Sequence, residues 1–168
     1  LRQRQAVCGD TQGKAKLVAD TETDLAAYAA LFISAFTSAT LLPGSSEAAL
    51  LTLLAMGRGE PVTLVVVATA GNLLGSLVNW MLGRFFSALR ERRWFPIDEP
   101  SYRRATDWFN RYGVWSLLLS WLPIIGDPLT VVAGALRVGL LRFVLLVSIG
   151  KGARYIFIVG AYSWWNGA

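Results

Sequence analysis

Four charged residues, Glu47, Asp127, Lys151 and Arg154, lie in or beside stretches of sequence otherwise too apolar to carry them. A charge at the centre of a bilayer costs on the order of 3 kcal/mol even on a mild insertion scale, so each one needs a partner. Two acids and two bases can cancel, which predicts that they meet inside a helical bundle. Such a cluster could do two kinds of chemistry. A desolvated Glu47 or Asp127 would exchange a proton during transport. Lys151 and Arg154, together with nearby helix N-termini, would hold an anionic group such as phosphate. The alternative is a static set of ion pairs that fixes geometry without chemistry.

Both acids stand beside a break. Leu42-Pro43-Gly44-Ser45-Ser46-Glu47 and Leu122-Pro123-Ile124-Ile125-Gly126-Asp127 each place an acid four residues after the proline, and Pro128 follows the second. Proline removes a backbone donor and disfavours helix at the residue before it, so the chain should turn at Pro43-Gly44 and again between Pro123 and Pro128, around Gly126. The uncharged runs flanking the second break hold 15 residues (Tyr112 to Gly126) and 8 residues (Leu129 to Leu136). A bilayer crossing needs about 20 helical residues, so neither run spans. Broken backbone survives in lipid only where protein buries it or it lines a wet cavity. The expected structure is a re-entrant helix hairpin with an acid near its tip, at both places. Each break follows a long apolar run and precedes a short one, then an Arg (Arg58, Arg137) and a membrane-length segment. That pattern reads as an internal repeat, and paired interrupted segments point to a transporter-type site near the midplane.

The elements that must position these residues follow from composition. With 168 residues, 54% of them hydrophobic, and a mean hydropathy of +0.46, the chain reads as one integral membrane domain. Val62 to Gly83 gives 22 consecutive uncharged residues, enough to span. Its Gly71, Asn72, Gly75, Asn79 and Gly83 are expected on one face, suited to close packing and interhelical hydrogen bonds. Leu25 to Leu42 is a helix rich in small residues, Ser45 or Ser46 should cap the next helix, and Ala48 to Gly57 fits a returning arm. Val138 to Trp165 is a further apolar segment, in which Arg142 can snorkel and Trp164 and Trp165 suit an interfacial belt. Leu1 to Asp24 is polar and aperiodic, without a signal-peptide pattern, and reads as a mobile tail or remnant whose start, a Leu, suggests processing or truncation. The membrane domain is then 25–168.

The net charge of +5 comes with arginines Arg84, Arg90, Arg92, Arg93, Arg103, Arg104 and Arg111 beside Trp94, Phe95, Trp108 and Phe109. Aromatics among arginines can stack bases. Directly after a span they mark a cytoplasmic interface instead, so no nucleic-acid partner is expected. Within this region Ser101 to Tyr112 has Tyr102, Ala105, Trp108, Phe109 and Tyr112 on one side, the pattern of an amphipathic helix lying at the interface. The lone Cys8 allows no intrachain disulfide, and the absence of histidine removes His metal sites and His bases. No nucleophile stands beside a base, and there is no metal-ligand cluster, P-loop or glycine fingerprint, so neither an enzyme nor a cofactor or metal is expected.

These stretches resemble the DedA family, also called the VTT or SNARE-associated domain family, and within it the YqaA-like branch. The resemblance covers about Leu25 to Tyr155 and rests on LLPGSSEAALL, ATAGNLLGSLVNWMLGR, FNRYG, SWLPIIGDPLTVVAGALR and GKGARY. It implies an all-α integral membrane protein of the bacterial inner membrane. Two opposed re-entrant hairpins and transmembrane helices would form an inverted repeat, with the amphipathic helix at the interface. It further implies movement of an anionic lipid or lipid-linked phosphate between leaflets, with membrane lipids as partners, a homo-oligomer left open, and Glu47 as the functional acid of the first hairpin. An ion or small-solute transporter and a non-transporting scaffold are the alternatives. Better-studied members carry arginines flanking the second proline, where this chain has Ser120 and Gly126, followed by Asp127. Lys151 and Arg154 are expected to supply that charge.

Overall fold

The structure, a computed structural model, describes residues 22–39, 44–86, 99–122 and 125–167, and the described residues are helical with no strand. The tail expected over Leu1 to Asp24 lies outside these residues up to position 21, as do Pro43, Pro123 and the part of the arginine-rich connector at 87–98. The first helix, α1, runs over 22–38 and so begins before the expected Leu25. It is followed by α2 (Ser45–Ala55), α3 (Pro61–Phe86), α4 (Glu99–Tyr112), a 3-10 segment (Gly113–Trp121), α5 (Gly126–Ala135) and α6 (Leu140–Gly167). Two of these, α3 and α6, are long and apolar enough to cross a membrane.

Helices α3 and α6 run antiparallel as the frame. Near one end the Trp80 and Phe143 rings pack at 6.0 Å, and further along Asn72 meets Tyr155 at 2.8 Å. Helices α1 and α2 form an antiparallel pair beside the first half of α3. At its base the Tyr28 hydroxyl accepts a hydrogen bond from the Glu60 amide at 3.0 Å, and at its tip the Ser46 hydroxyl donates to Ser38 at 3.3 Å. The pair buries Leu31, Ala35 and Leu50. With 11 residues, α2 is only about 16 Å long.

The small residues of α3 make this packing possible, but they do not form one face. A Cβ on Gly71 would lie 2.5 Å from the Phe32 carbonyl, and one on Gly75 2.6 Å from the Phe36 carbonyl. One step further, the Asn79 side chain donates to the Ala39 carbonyl at 2.8 Å and satisfies an acceptor that the end of α1 would otherwise leave unpaired. Each four-residue step rotates the stripe by about 40° on a helix of 3.6 residues per turn. By Gly83 the stripe has left α1 and meets α5: a Cβ on Gly83 would overlap the Val131 carbonyl, and one on Gly134 the Trp80 carbonyl. Asn72 points to α6. The expected single face therefore serves three neighbours.

In the second pair α5 packs beside the other half of α3, and the 3-10 segment lies against α5, α6 and α4. Gly113, at φ 59, separates α4 from the 3-10 segment, at the boundary expected between the amphipathic helix ending at Tyr112 and the apolar run that follows. Nine 3-10 residues reach about 18 Å, close to the length of α5 beside them. Helix α4 is amphipathic as expected, but it buries Ala105 and Phe109 against a core that includes Leu129, Val132 and Ala133 of α5, so protein and not lipid covers this part of its apolar side.

Helices α2 and α5 end in the same Schellman motif. In the first, Arg58 N bonds Leu53 O at 2.9 Å and Gly57 N bonds Leu54 O at 3.1 Å; in the second, Val138 N bonds Ala133 O and Arg137 N bonds Gly134 O, both at 2.9 Å. The left-handed position is Gly57 in one and Arg137 in the other. These two lie the same distance apart in sequence as Glu47 and Asp127. The structural counterpart of Arg137 is thus Gly57, one residue before the Arg58 that the sequence pattern suggests.

Candidate functional site

The tips of the two short pairs overlap at mid-length of the frame, and the four charged residues sit there. Glu47 and Asp127 occupy the first turns of α2 and α5, where the positive end of the helix dipole favours a carboxylate. Lys151 and Arg154 lie one turn apart on α6. Each acid takes one base. The Lys151 ammonium is 3.2 Å from Asp127 Oδ1 and also donates to Asn72 Oδ1. The Arg154 guanidinium holds Glu47 through Nε and Nη2, while its Nη1 donates to the Trp121 carbonyl at 2.9 Å. That carbonyl belongs to the end of the 3-10 segment, where acceptors lack helical partners. One guanidinium therefore ties the tip of the first pair to the tip of the second.

The remaining residues expected at the breaks are placed differently from one another. Gly44, at φ 94, holds the left-handed turn before α2. Gly126 and Pro128 are not part of a turn: the chain is extended at Leu122 (ψ 128), and both lie in the first turn of α5. Pro128 is tolerated there because the first amides of a helix have no intrahelical acceptor to reach. A Cβ on Gly126 would overlap the Ser120 carbonyl, so this position has no room for an arginine side chain. Ser120 is 2% exposed, and its hydroxyl has no hydrogen-bond partner among the described residues. The cap expected from Ser45 or Ser46 is absent, because Gly44 precedes α2 without a side-chain cap and Ser46 turns inward.

Asn72 and Tyr155 complete the site, and sequence reading did not single them out for it. Lys151 donates to the Asn72 carbonyl oxygen, Asn72 Nδ2 donates to the Tyr155 hydroxyl at 2.8 Å, Tyr155 donates to Ser46 at 2.9 Å, and Ser46 donates to Ser38. Every member is buried. This chain links α1, α2, α3 and α6, and through Lys151 it reaches α5. An amide does not readily pass a proton from its nitrogen to its oxygen, so Asn72 makes the chain a clamp and not a proton wire. The available signal was the spacing of Lys151 and Tyr155, four residues apart on one helix face.

Beside the Arg154–Glu47 pair lies a groove of about 690 Å³. Leu118 and Trp121 form one wall and Ile149, Ala153 and Phe157 of α6 the other; Glu47 and Arg154 are its charged end. Ile149 and Phe157 are 59% and 75% exposed, so the groove opens along the apolar outside of the bundle.

A VTT domain model matches residues 42–163. The chain is 42% identical over 140 residues to inner membrane protein YqaA of Escherichia coli, covering 81% of this chain and 94% of that protein. It is 40% identical over 139 residues to an uncharacterised protein of Haemophilus influenzae, covering 77% and 83%. Undecaprenyl phosphate transporter A of Staphylococcus aureus is 29% identical over 97 residues, covering 53% of this chain and 48% of that protein. No solved structure matches. The apolar helices, together with relatives named as inner membrane proteins, place the chain in the bacterial inner membrane. With the domain match extending from the first break into α6, and with this identity over nearly all of a curated relative, the chain belongs to the VTT-domain, or DedA, family.

Proposed function

We propose that the protein moves an anionic lipid or lipid-linked phosphate between leaflets, with the headgroup passing the crossing point of the two hairpin tips. The observation that carries this reading is the groove: apolar, open along the outside of the bundle, and ending on an ion pair contributed by α2 and α6. A lipid tail can stay in the groove while its headgroup reaches polar groups at mid-depth. In this reading 25–168 is the membrane domain, and the α1–α2 and 3-10–α5 pairs are re-entrant hairpins entering from opposite faces. Their short arms support it, because neither α2, at 11 residues, nor α5, at 10, can span alone. The shared Schellman ends and the acids at matching positions support an inverted repeat. The name of the Staphylococcus aureus relative supports a phosphate-bearing lipid as the general substrate class. Glu47 and Asp127 are the proton-coupling candidates; of the two bases, Arg154 is the anion-binding candidate that stands in for the arginines this chain lacks at 120 and 126, and Lys151 the ion-pair partner of Asp127.

The test is leaflet exchange of fluorescent anionic and zwitterionic lipids in proteoliposomes, comparing the parent with Glu47→Gln and Asp127→Asn in monodisperse preparations. Exchange by the parent that falls in Glu47→Gln is the expected result. Absence of exchange across several lipids and pH gradients sinks the lipid-transport reading.

A further inference from the structure

Building on that transport reading, we infer that the groove binds a lipid with a singly charged phosphodiester headgroup, which replaces Glu47 on Arg154, while Lys151 takes no part in holding it. The two cations differ in what they can offer. Lys151 is 3% exposed, two of its three donors are taken by Asp127 and Asn72, and it does not line the groove. Arg154 does line it. Its guanidinium presents a planar fork suited to a phosphate, and two of its nitrogens are held only by the Glu47 carboxylate. A headgroup that enters the groove and reaches Arg154 therefore competes with Glu47 for the same donors.

Charge balance decides which headgroup wins. The charged groups around Glu47 are Arg154 and, behind it, Lys151 on α6, and Asp127 on α5; Tyr155 of α6 and the Trp121 carbonyl add neutral polar atoms. The four charges sum to zero. If Glu47 leaves Arg154 as a carboxylate, the site gains a net negative charge with every anion bound. If Glu47 takes up a proton, the site carries one positive charge, which one phosphodiester cancels. A phosphomonoester carries about −1.5 to −2 at neutral pH and would leave the site negative in a low-dielectric setting. Binding of the diester is thus linked to uptake of one proton, on the side chain that departs.

The measurement is occupancy of the groove in zwitterionic nanodiscs, read as quenching of Trp121 by brominated-chain lipid and isolated by subtracting the signal of Trp121→Phe. The probes are phosphatidylglycerol, phosphatidic acid and phosphatidylcholine, with water-soluble glycerophosphoglycerol as competitor. Phosphatidylglycerol affinity should rise about tenfold for each unit of falling pH while Glu47 is ionised in the free protein, the slope for one linked proton. Glu47→Gln should bind tightly with no such slope, and the charge-neutral pair Glu47→Gln/Arg154→Gln should bind phosphatidylglycerol no better than phosphatidylcholine. Phosphatidic acid should bind at least about tenfold more weakly at neutral pH, given its extra charge. A slope that survives in Glu47→Gln overturns the exchange. Equal quenching by phosphatidylcholine in the parent overturns the site as more than ordinary lipid contact, tighter phosphatidic acid binding overturns the charge assignment, and full competition by the soluble diester overturns the lipid requirement. Leaflet exchange on the same preparations separates the two readings: exchange without Arg154-dependent occupancy overturns this inference and leaves transport standing. Occupancy as described, without exchange, does the reverse.

Discussion

The two ion pairs are made of the same chemistry one helical turn apart, and they differ in how far the base is enclosed and in whether the pair meets the groove. In the Lys151–Asp127 pair the base is enclosed: the lysine side chain is 4% exposed against 27% for Asp127, and Asn72 takes another of its hydrogen bonds. The Arg154–Glu47 pair, at 19% and 30%, forms the end of a groove. A buried pair cannot lose one partner without stranding the other, whereas a pair beside an opening can exchange a partner for a ligand or water. The position of a base on α6 therefore separates a pair whose base is enclosed by protein from one whose base a ligand or water can reach.

The largest effect should come from breaking the closed pair. Lys151→Ala leaves Asp127 and the Asn72 oxygen without their donor, and removing one partner of a buried pair costs about 3–5 kcal/mol. Loss of monodisperse protein, or a steep fall in melting temperature in detergent, is expected. Adding Asp127→Asn should recover part of that loss, because the stranded charge is gone. A Lys151→Ala variant as stable as the parent would show that the two pairs are equivalent.

The next effect tests the packing that brings the tips into register. Gly83→Leu and Gly134→Leu insert side chains where α3 and α5 touch backbone to backbone, and overpacking of this kind costs about 1–3 kcal/mol or more. Both should melt lower than the parent. Gly160→Leu, on α6 where a Cβ meets nothing, should not.

The open pair should respond in the opposite sense, with a small effect on stability and a large one on transport. Glu47→Gln keeps the shape of the side chain and an acceptor for Arg154. A partly exposed pair contributes about 1 kcal/mol or less, so the melting temperature should shift little. Lipid exchange should be lost all the same. A variant that loses fold and exchange together would assign Glu47 to the same structural role as Asp127.

The charges, the breaks and the spans were legible in the sequence because each violates or fulfils a simple rule: a charge in an apolar run, a proline in a helix, 22 residues without charge. The pairing was not. Which acid meets which base depends on where α6 lies between two tips, and a helical wheel of α6 alone cannot supply that. Asn72 and Tyr155 were hidden for the same reason, since 83 positions separate them and each is ordinary in its own helix. The turn chemistry misled in a more local way. Gly126 and Pro128 read as breakers, yet both are compatible with the first turn of a helix, and Ser45 and Ser46 read as caps although a buried network recruits Ser46. The 3-10 winding of Gly113–Trp121 gives no pattern distinct from an α-helix in so uniformly apolar a run.

The smallest expected effect concerns the ends of α2 and α5, which differ at a single matching position. Both Schellman motifs require a left-handed residue. Gly57 adopts it at φ 62 without steric cost, whereas Arg137 adopts it at φ 58, where an L side chain costs about 1–2 kcal/mol. The Arg137 side chain is exposed, so its removal sacrifices no core packing. Arg137→Gly should therefore raise the melting temperature in detergent, by an amount worth about 1 kcal/mol after the glycine's greater unfolded-state entropy is offset. Gly57→Ala should lower it by a similar amount. If Arg137→Gly gains nothing in detergent, the left-handed arginine is held by an interaction of its guanidinium that compensates the strain. Lipid dependence then tells where that interaction lies: a variant neutral in detergent but destabilised in anionic nanodiscs would place Arg137 among headgroups at the base of the second hairpin, a role Gly57 cannot share at the first.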